Sequence, residues 1–233
     1  MGVIVLRALL KFARLRGKVR INVADGIPKI YRSGTRAEIV WTDEDLKAFA
    51  SASVKLSLTH VNDGLRLAAL TGLRREDLVT LSWNDVGERA LTKKAAKASR
   101  GKRHTIVLPR YPALDDLLDQ LKSRKRAEGV ETILVNSFGQ SWSGDGFGGS
   151  FNRVRDEAGI VHIDPEIGEA RAKHLHDVRG TFCTKLITLA KLSNQEAAEI
   201  MGWSPEQVAG IRRSYVDQVG VNMAIAQRLR DNL

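Results

Sequence analysis

Cysteine is almost missing from this chain. Cys183 is the only one in 233 residues, which excludes an intrachain disulfide and any zinc site built on cysteines. Long apolar runs are missing too. The most apolar opening stretch, Val3 to Leu10, is broken by Arg7 and followed by Lys11, Arg14 and Arg16, far short of the roughly 18 to 20 uncharged residues of a membrane span. It carries no small-residue cleavage site, so no signal peptide and a cytoplasmic location are expected. There is no internal repeat and no low-complexity tract. Acidic residues are in deficit: 27 Asp and Glu face 37 Lys and Arg, leaving a formal charge of +10. That excess points to a polyanionic partner, nucleic acid first and an anionic membrane surface second. What remains is 43% hydrophobic and 27% charged, the balance of a globular chain and not of a disordered or collagenous one.

Periodicity divides the chain near residue 41. Leu6, Leu9, Leu10, Ala13 and Leu15 recur at helical spacing before Gly17, which predicts a short N-terminal helix with one apolar stripe. Residues 18–41 are mixed and read as a linker. Thr42 with Asp45 forms a capping pair that opens a new helix, so the expected domains are 1–41 and 42–233. Helical spacing continues to Trp83. Leu91-Thr92 and Thr105 to Leu108 are strand-like around Ser99-Arg100-Gly101-Lys102, a β-hairpin signal. Helices are expected again over 113–126, 147–158 and 174–189, with starts at Ser193/Glu196 and Ser204-Pro205/Gln207, and a last amphipathic helix over 221–233. The expected fold is mainly α with one small antiparallel β-hairpin.

Three clusters could act on a phosphodiester, whose anionic oxygens demand fixed positive charge and an in-line nucleophile. Arginine suits the first task, since its planar fork stays charged and holds two oxygens. In Thr71-Gly72-Leu73-Arg74-Arg75-Glu76-Asp77-Leu78 a tight turn would leave Arg74 at a helix start, with Asp77 placed to fix its guanidinium. In His174-Leu175-His176-Asp177-Val178-Arg179 the pair His176 and Arg179 shares a helical face while Leu175, Val178 and Phe182 anchor it. Near the end, Gly202-Trp203 precedes Arg212-Arg213-Ser214-Tyr215. Each cluster alone reads as a capped or solvated helix face.

Taken in order they resemble the catalytic domain of the tyrosine recombinases, or phage integrase family, over residues 42–233. The matching motifs are T-G-L-R-x-x-D-L at Thr71 to Leu78, S-W-N-D-V at Ser82 to Val86, H-x-x-R at His176 to Arg179, Gly202-Trp203, and R-R-x-Y at Arg212 to Tyr215. The resemblance implies the DNA breaking-rejoining fold and a role for each matched residue. Arg74 and Arg179 would clamp the non-bridging oxygens, His176 would assist proton transfer, Trp203 would donate through its indole nitrogen, and Tyr215 would be the nucleophile. The family also uses a hairpin lysine as general acid: Lys97 is favoured for its place at the turn, with Lys94 second. Lys93, Lys94, Arg100, Lys102 and Arg103 on the hairpin, with Arg212 and Arg213, would grip the backbone of duplex DNA.

The implied activity is site-specific recombination through a 3′-phosphotyrosyl intermediate, without metal, ATP or other cofactor, by a nucleoid-associated protein that is monomeric alone and tetrameric on DNA, the 221–233 helix docking on a neighbour or folding back on its own core. Two departures stand out. Gly180 replaces a second histidine found in many members. The N-terminal core-binding domain is represented only by residues 1 to about 30, like its last helix, which implies a late start or a shortened remnant. Two alternatives follow: a remnant that binds DNA without productive recombination, and a type IB topoisomerase.

Overall fold

The computed structural model describes residues 2–27, 36–96, 104–165 and 167–215, with Ala37, Ser214 and Tyr215 described by backbone only. The chain forms two compact units, Met1–Thr35 and Arg36–Leu233. In the first, α1 (Gly2–Leu15) ends ahead of Gly17, whose φ of 67° lies in the left-handed region. The Arg7 guanidinium donates to the carbonyls of Ala24 and Ile27, and Asn22 returns a bond to the Arg7 carbonyl, tying the 22–27 loop to the helix.

The second unit opens with a 3₁₀ turn, Arg36–Glu38, followed by α2 (Asp43–Lys55), α3 (Thr59–Thr71) and α4 (Arg75–Val79). Thr42 and Asp45 form a reciprocal capping box on α2, as their spacing predicts. Strands β1 (Ala90–Lys94) and β2 (Thr105–Pro109) pair antiparallel, with Leu91 opposite Leu108. Then come α5 (Pro112–Lys122), α6 (Gly144–Glu157), β3 (Val161–Ile163), β4 (Ala170–Ala172), α7 (Asp177–Thr188), α8 (Asn194–Met201) and α9 (Pro205–Tyr215). The β3–β4 ladder is a second small sheet where sequence reading expects one. Its strands are three residues long, and Val161 and Ile163 face solvent, so no alternation of apolar and polar positions announces it.

The core gathers around α3. Leu65 and Leu67 of α3, Leu114, Leu117 and Leu121 of α5, and Phe147 and Phe151 of α6 are all at most 1% exposed. Burying each such side chain contributes about 1.5–3 kcal/mol. Gly64 lets α6 approach closely: a Cβ there would lie 2.3 Å from the Phe147 ring. Trp41, Phe49 and Phe151 make an aromatic cluster, with ring centroids of Phe49 and Phe151 4.9 Å apart. Upon this core α7 is buried on most of its circumference, through Val178, Phe182, Cys183 and Ile187 and also Arg179 and Thr181. No described helix is long and apolar enough to cross a membrane.

Candidate active site

Two helix ends meet a third helix start. Gly72 caps α3 in the left-handed conformation (φ 59°, ψ 18°), and the chain turns so that Arg74 becomes the N-cap of α4. Gly202 caps α8 in the same way (φ 61°, ψ 41°). Between these ends lies Arg179 of α7, only 2% exposed. Its Nη1 donates to the Gly72 carbonyl and its Nη2 to the Met201 carbonyl at 2.9 Å. Both acceptors sit at helix C-termini, where the helix dipole favours a cation. The Arg179 Cζ lies 5.4 Å from the centroid of the half-buried Trp203 ring.

Among the described residues no carboxylate forms an ion pair with Arg179, and its Nε is buried without a partner. Burial, followed by the charge of Arg74, pulls Arg179 down to about 10, with Asp77 and Cys183 opposing. It remains charged at neutral pH. Arg74 is half-buried, its carbonyl accepts the Leu78 N–H, and its guanidinium has neither hydrogen bond nor ion pair among the described residues. The two guanidiniums are near enough to repel, which costs stability and makes their shared space attractive to an anion.

His176, an exposed residue, is the N-cap of α7. Partial desolvation first, then Arg179, hold it below the ordinary imidazole value; Arg74 and Arg36 add to this and Asp177 opposes it. These influences favour the neutral imidazole, which is able to accept a proton. A cavity of about 440 Å³ opens beside it, lined among others by Leu73, Arg75, Asn152, Arg155, His176 and Arg179.

Other sequence-predicted residues fall differently. Asp77 does not fix the Arg74 guanidinium. It is 1% exposed, its Oδ1 accepts the Ala96 N–H at 2.6 Å, and its Oδ2 is buried without a partner among the described residues; it tethers the end of the β1 arm to α4. Lys93 is not free to hold phosphate, because its Nζ donates to the Thr80 carbonyl at 2.6 Å and to Asp85 Oδ2 at 2.9 Å. Arg212 is likewise committed, to Asn194 Oδ1 and the Leu192 carbonyl, and it clamps the start of α8. Lys94 and Arg213 are exposed. Lys97, Arg100, Lys102, Arg103 and the 221–233 helix lie outside the described residues. Tyr215 is the last residue of α9, a helix seated by Val208 and Ile211. Tyr111 is occupied elsewhere: its hydroxyl donates to the Leu70 carbonyl and burial pushes it up to about 12.

Sequence reading misses Arg36, Asn152 and Arg155. Arg155, 8% exposed, reaches Asp156, Asn152 and the Lys173 carbonyl. Partners as distant in sequence as Lys173 leave no local pattern. The described residues contain no group of three His, Cys, Asp or Glu side chains able to hold a metal ion.

Comparison with known proteins places the chain in a family and a fold. The model of the phage integrase family matches residues 42–217. Prophage integrase IntF of Escherichia coli (strain K12) is 24% identical over 211 residues, covering 88% of this chain and 42% of that protein. The chain thus spans about two fifths of that relative's length. The lambda integrase dimer bound to a COC′ core site superposes with a TM-score of 0.72 at 20% identity, over 93% of this chain and 73% of that one. The lambda integrase tetramer bound to a Holliday junction gives a TM-score of 0.69 at 20% identity, over 87% of this chain and 57% of that one. At such identity the two structures establish the fold, and the family match establishes the kinship: the chain belongs to the phage integrase family.

Proposed function

We propose that the second unit is the catalytic domain of a tyrosine recombinase that breaks and rejoins duplex DNA. The observation that carries this reading is Arg179, a buried charge with no ion-pair partner among the described residues, beside the Arg74 guanidinium, which has none there either, and close to His176. A scissile phosphate supplies the missing negative charge. As the Tyr215 hydroxyl attacks phosphorus, Arg74 and Arg179 hold the non-bridging oxygens, and Trp203 adds an indole donor where charge builds. The phenol proton passes toward His176. The P–O5′ bond breaks, and Lys97 protonates the departing 5′ oxygen. The products are a 3′-phosphotyrosyl ester and a free 5′ hydroxyl. The ester conserves the phosphodiester's free energy, so a 5′ hydroxyl from a partner strand reverses the step without nucleotide hydrolysis. By analogy with lambda integrase, which has been solved as a dimer on a core site and a tetramer on a Holliday junction, four copies would act together on two duplexes.

A duplex nicked just 3′ of the scissile phosphate tests this reading, because loss of the short 5′-hydroxyl fragment prevents rejoining. The wild type is expected to accumulate a covalent protein–DNA adduct and Tyr215→Phe none. DNA binding by both without any adduct would favour a binding-only protein; unselective relaxation of supercoiled plasmid would favour a topoisomerase. The general acid is separated from the hairpin's other basic residues by a 5′-thiol leaving group, which departs without protonation. Lys97→Ala should be slow on the oxygen ester and near wild type on the thiol ester. If Lys94→Ala shows that rescue and Lys97→Ala does not, the assignment passes to Lys94.

A further inference from the structure

The chain enters the second unit at Arg36, and the side chains of Arg36, Glu38 and Trp41 tie residues 36–41 to β4, to the segment ahead of α7 and to α7 itself. Arg36 grips Asp177 with its fork, Nε to Oδ1 at 3.0 Å and Nη2 to Oδ2 at 2.6 Å, and Nη2 also donates to the Ala172 carbonyl at 2.8 Å. The Asp177 side chain is 1% exposed, and its Oδ2 accepts the His174 N–H at 2.7 Å. Trp41 donates its indole N–H to the His174 carbonyl and its backbone N–H to Thr181 Oγ1. Glu38 pairs with Arg171 on β4 at 2.8 Å. Asp177 follows the N-cap His176 directly, and Arg179 comes two residues later. A displacement of Arg36 therefore displaces both groups assigned to the phosphate.

We infer that Arg36 is a positioning residue, which through Asp177 sets the start of α7 so that His176 and Arg179 meet one phosphate. This rests on the recombinase reading above for its catalytic consequence, but not for its structural one. Nothing in the motifs marks it, because the pair is 141 residues apart in sequence. The bidentate geometry resists rotation, and a lysine at position 36 would supply charge without the fork.

Removing Arg36 also changes the field at His176. The charges facing that ring are Asp177 and Arg179 of α7, Arg74 at the cap of α4, and Arg36 itself; Arg75, Arg155 and His174 share its cavity. Arg36 holds His176 down and Asp177 holds it up. Arg36→Gln should thus raise the titration midpoint of His176, whereas Asp177→Asn should lower it. General loosening of the fold moves both toward the ordinary value, which means both upward.

The test is an NMR titration of the His176 imidazole in the free 233-residue chain, assigned with His176→Gln, beside single-turnover trapping on saturating nicked duplex. The expected result is midpoint shifts of opposite sign in Arg36→Gln and Asp177→Asn. Trapping should slow by about ten- to a hundredfold in both, with duplex affinity changed less than about twofold. Arg36→Lys, which also guards against a variant that fails to fold, should keep the midpoint near wild type while recovering only part of the rate. Midpoints that do not move, or that move together, overturn the positioning role. So does a wild-type trapping rate in Arg36→Gln. If the wild type itself forms no adduct, the recombinase reading fails, and the titration still decides whether Arg36 sets His176.

Discussion

Arg179→Met is expected to slow covalent adduct formation by about a hundred- to a thousandfold, the usual cost of losing a preorganised donor to a developing anion, roughly 3 to 4 kcal/mol. The fold should survive the change, and the reason lies in the cost of keeping this charge. A group held at about 10, well below the ordinary guanidinium value, penalises the native state at neutral pH. The unfolded chain binds that proton more tightly, so this penalty is lifted only as pH rises through the folded value toward the unfolded one. At about 1.4 kcal/mol per pH unit the penalty is on the order of 3 kcal/mol. Methionine removes it and fills most of the volume. Against this, the Gly72 and Met201 carbonyls lose their donor, at about 1–3 kcal/mol each. The opposing effects leave stability between about 1 kcal/mol above and about 3 kcal/mol below wild type by thermal melting. A further arm isolates the charge: a neutral methylphosphonate at the scissile position needs less positive compensation, and should restore much of the lost rate to Arg179→Met. Near-normal cleavage by this variant on ordinary DNA would refute the clamp.

Gly72→Ala should do the reverse, damaging the fold and the site together. At φ 59° an L residue is strained, and the new Cβ would stand 2.5 Å from Cδ1 of Phe182 in the core. The left-handed backbone costs about 1 kcal/mol and overpacking about 1–3 kcal/mol more. A loss of about 3 kcal/mol lowers the melting midpoint by roughly 10 °C. Because the Gly72 carbonyl is one of the two holding Arg179, relief of the clash by backbone movement also shifts the guanidinium. Adduct formation should therefore fall even well below the melting transition, unlike a purely destabilising change such as Val61→Ala, which touches only the core. Equal losses of activity in the two, after correction for the folded fraction, would show that Gly72 matters only for stability.

What could be read from the sequence was what is local. The capping boxes at Thr42 and Ser193 span three residues and appear as their spacing predicts. The β1–β2 hairpin announces itself through alternating apolar positions such as Ile106 and Leu108, both buried. The ordered motifs identify the family because each is short and self-contained. What stayed hidden depends on partners far away in sequence. Lys93 looks like any hairpin lysine until Thr80 and Asp85 claim it. Arg212 sits beside Tyr215 in sequence, yet its guanidinium is spent on Leu192 and Asn194. Asp77, three residues from Arg74, turns to the Ala96 amide instead. The hold on Arg179 comes from two helix ends, 107 residues upstream and 22 downstream, supplied by backbone carbonyls that no side-chain pattern reveals.

The most direct test of the shared phosphate site is the structure of Tyr215→Phe bound to duplex DNA carrying its recognition site. The expected result is one phosphate with Arg74 and Arg179 on its non-bridging oxygens, His176 and Trp203 within hydrogen-bonding reach, and the ring of residue 215 on the face opposite the 5′ oxygen. A duplex gripped elsewhere on the surface, with the space between the two guanidiniums left to water, would contradict it.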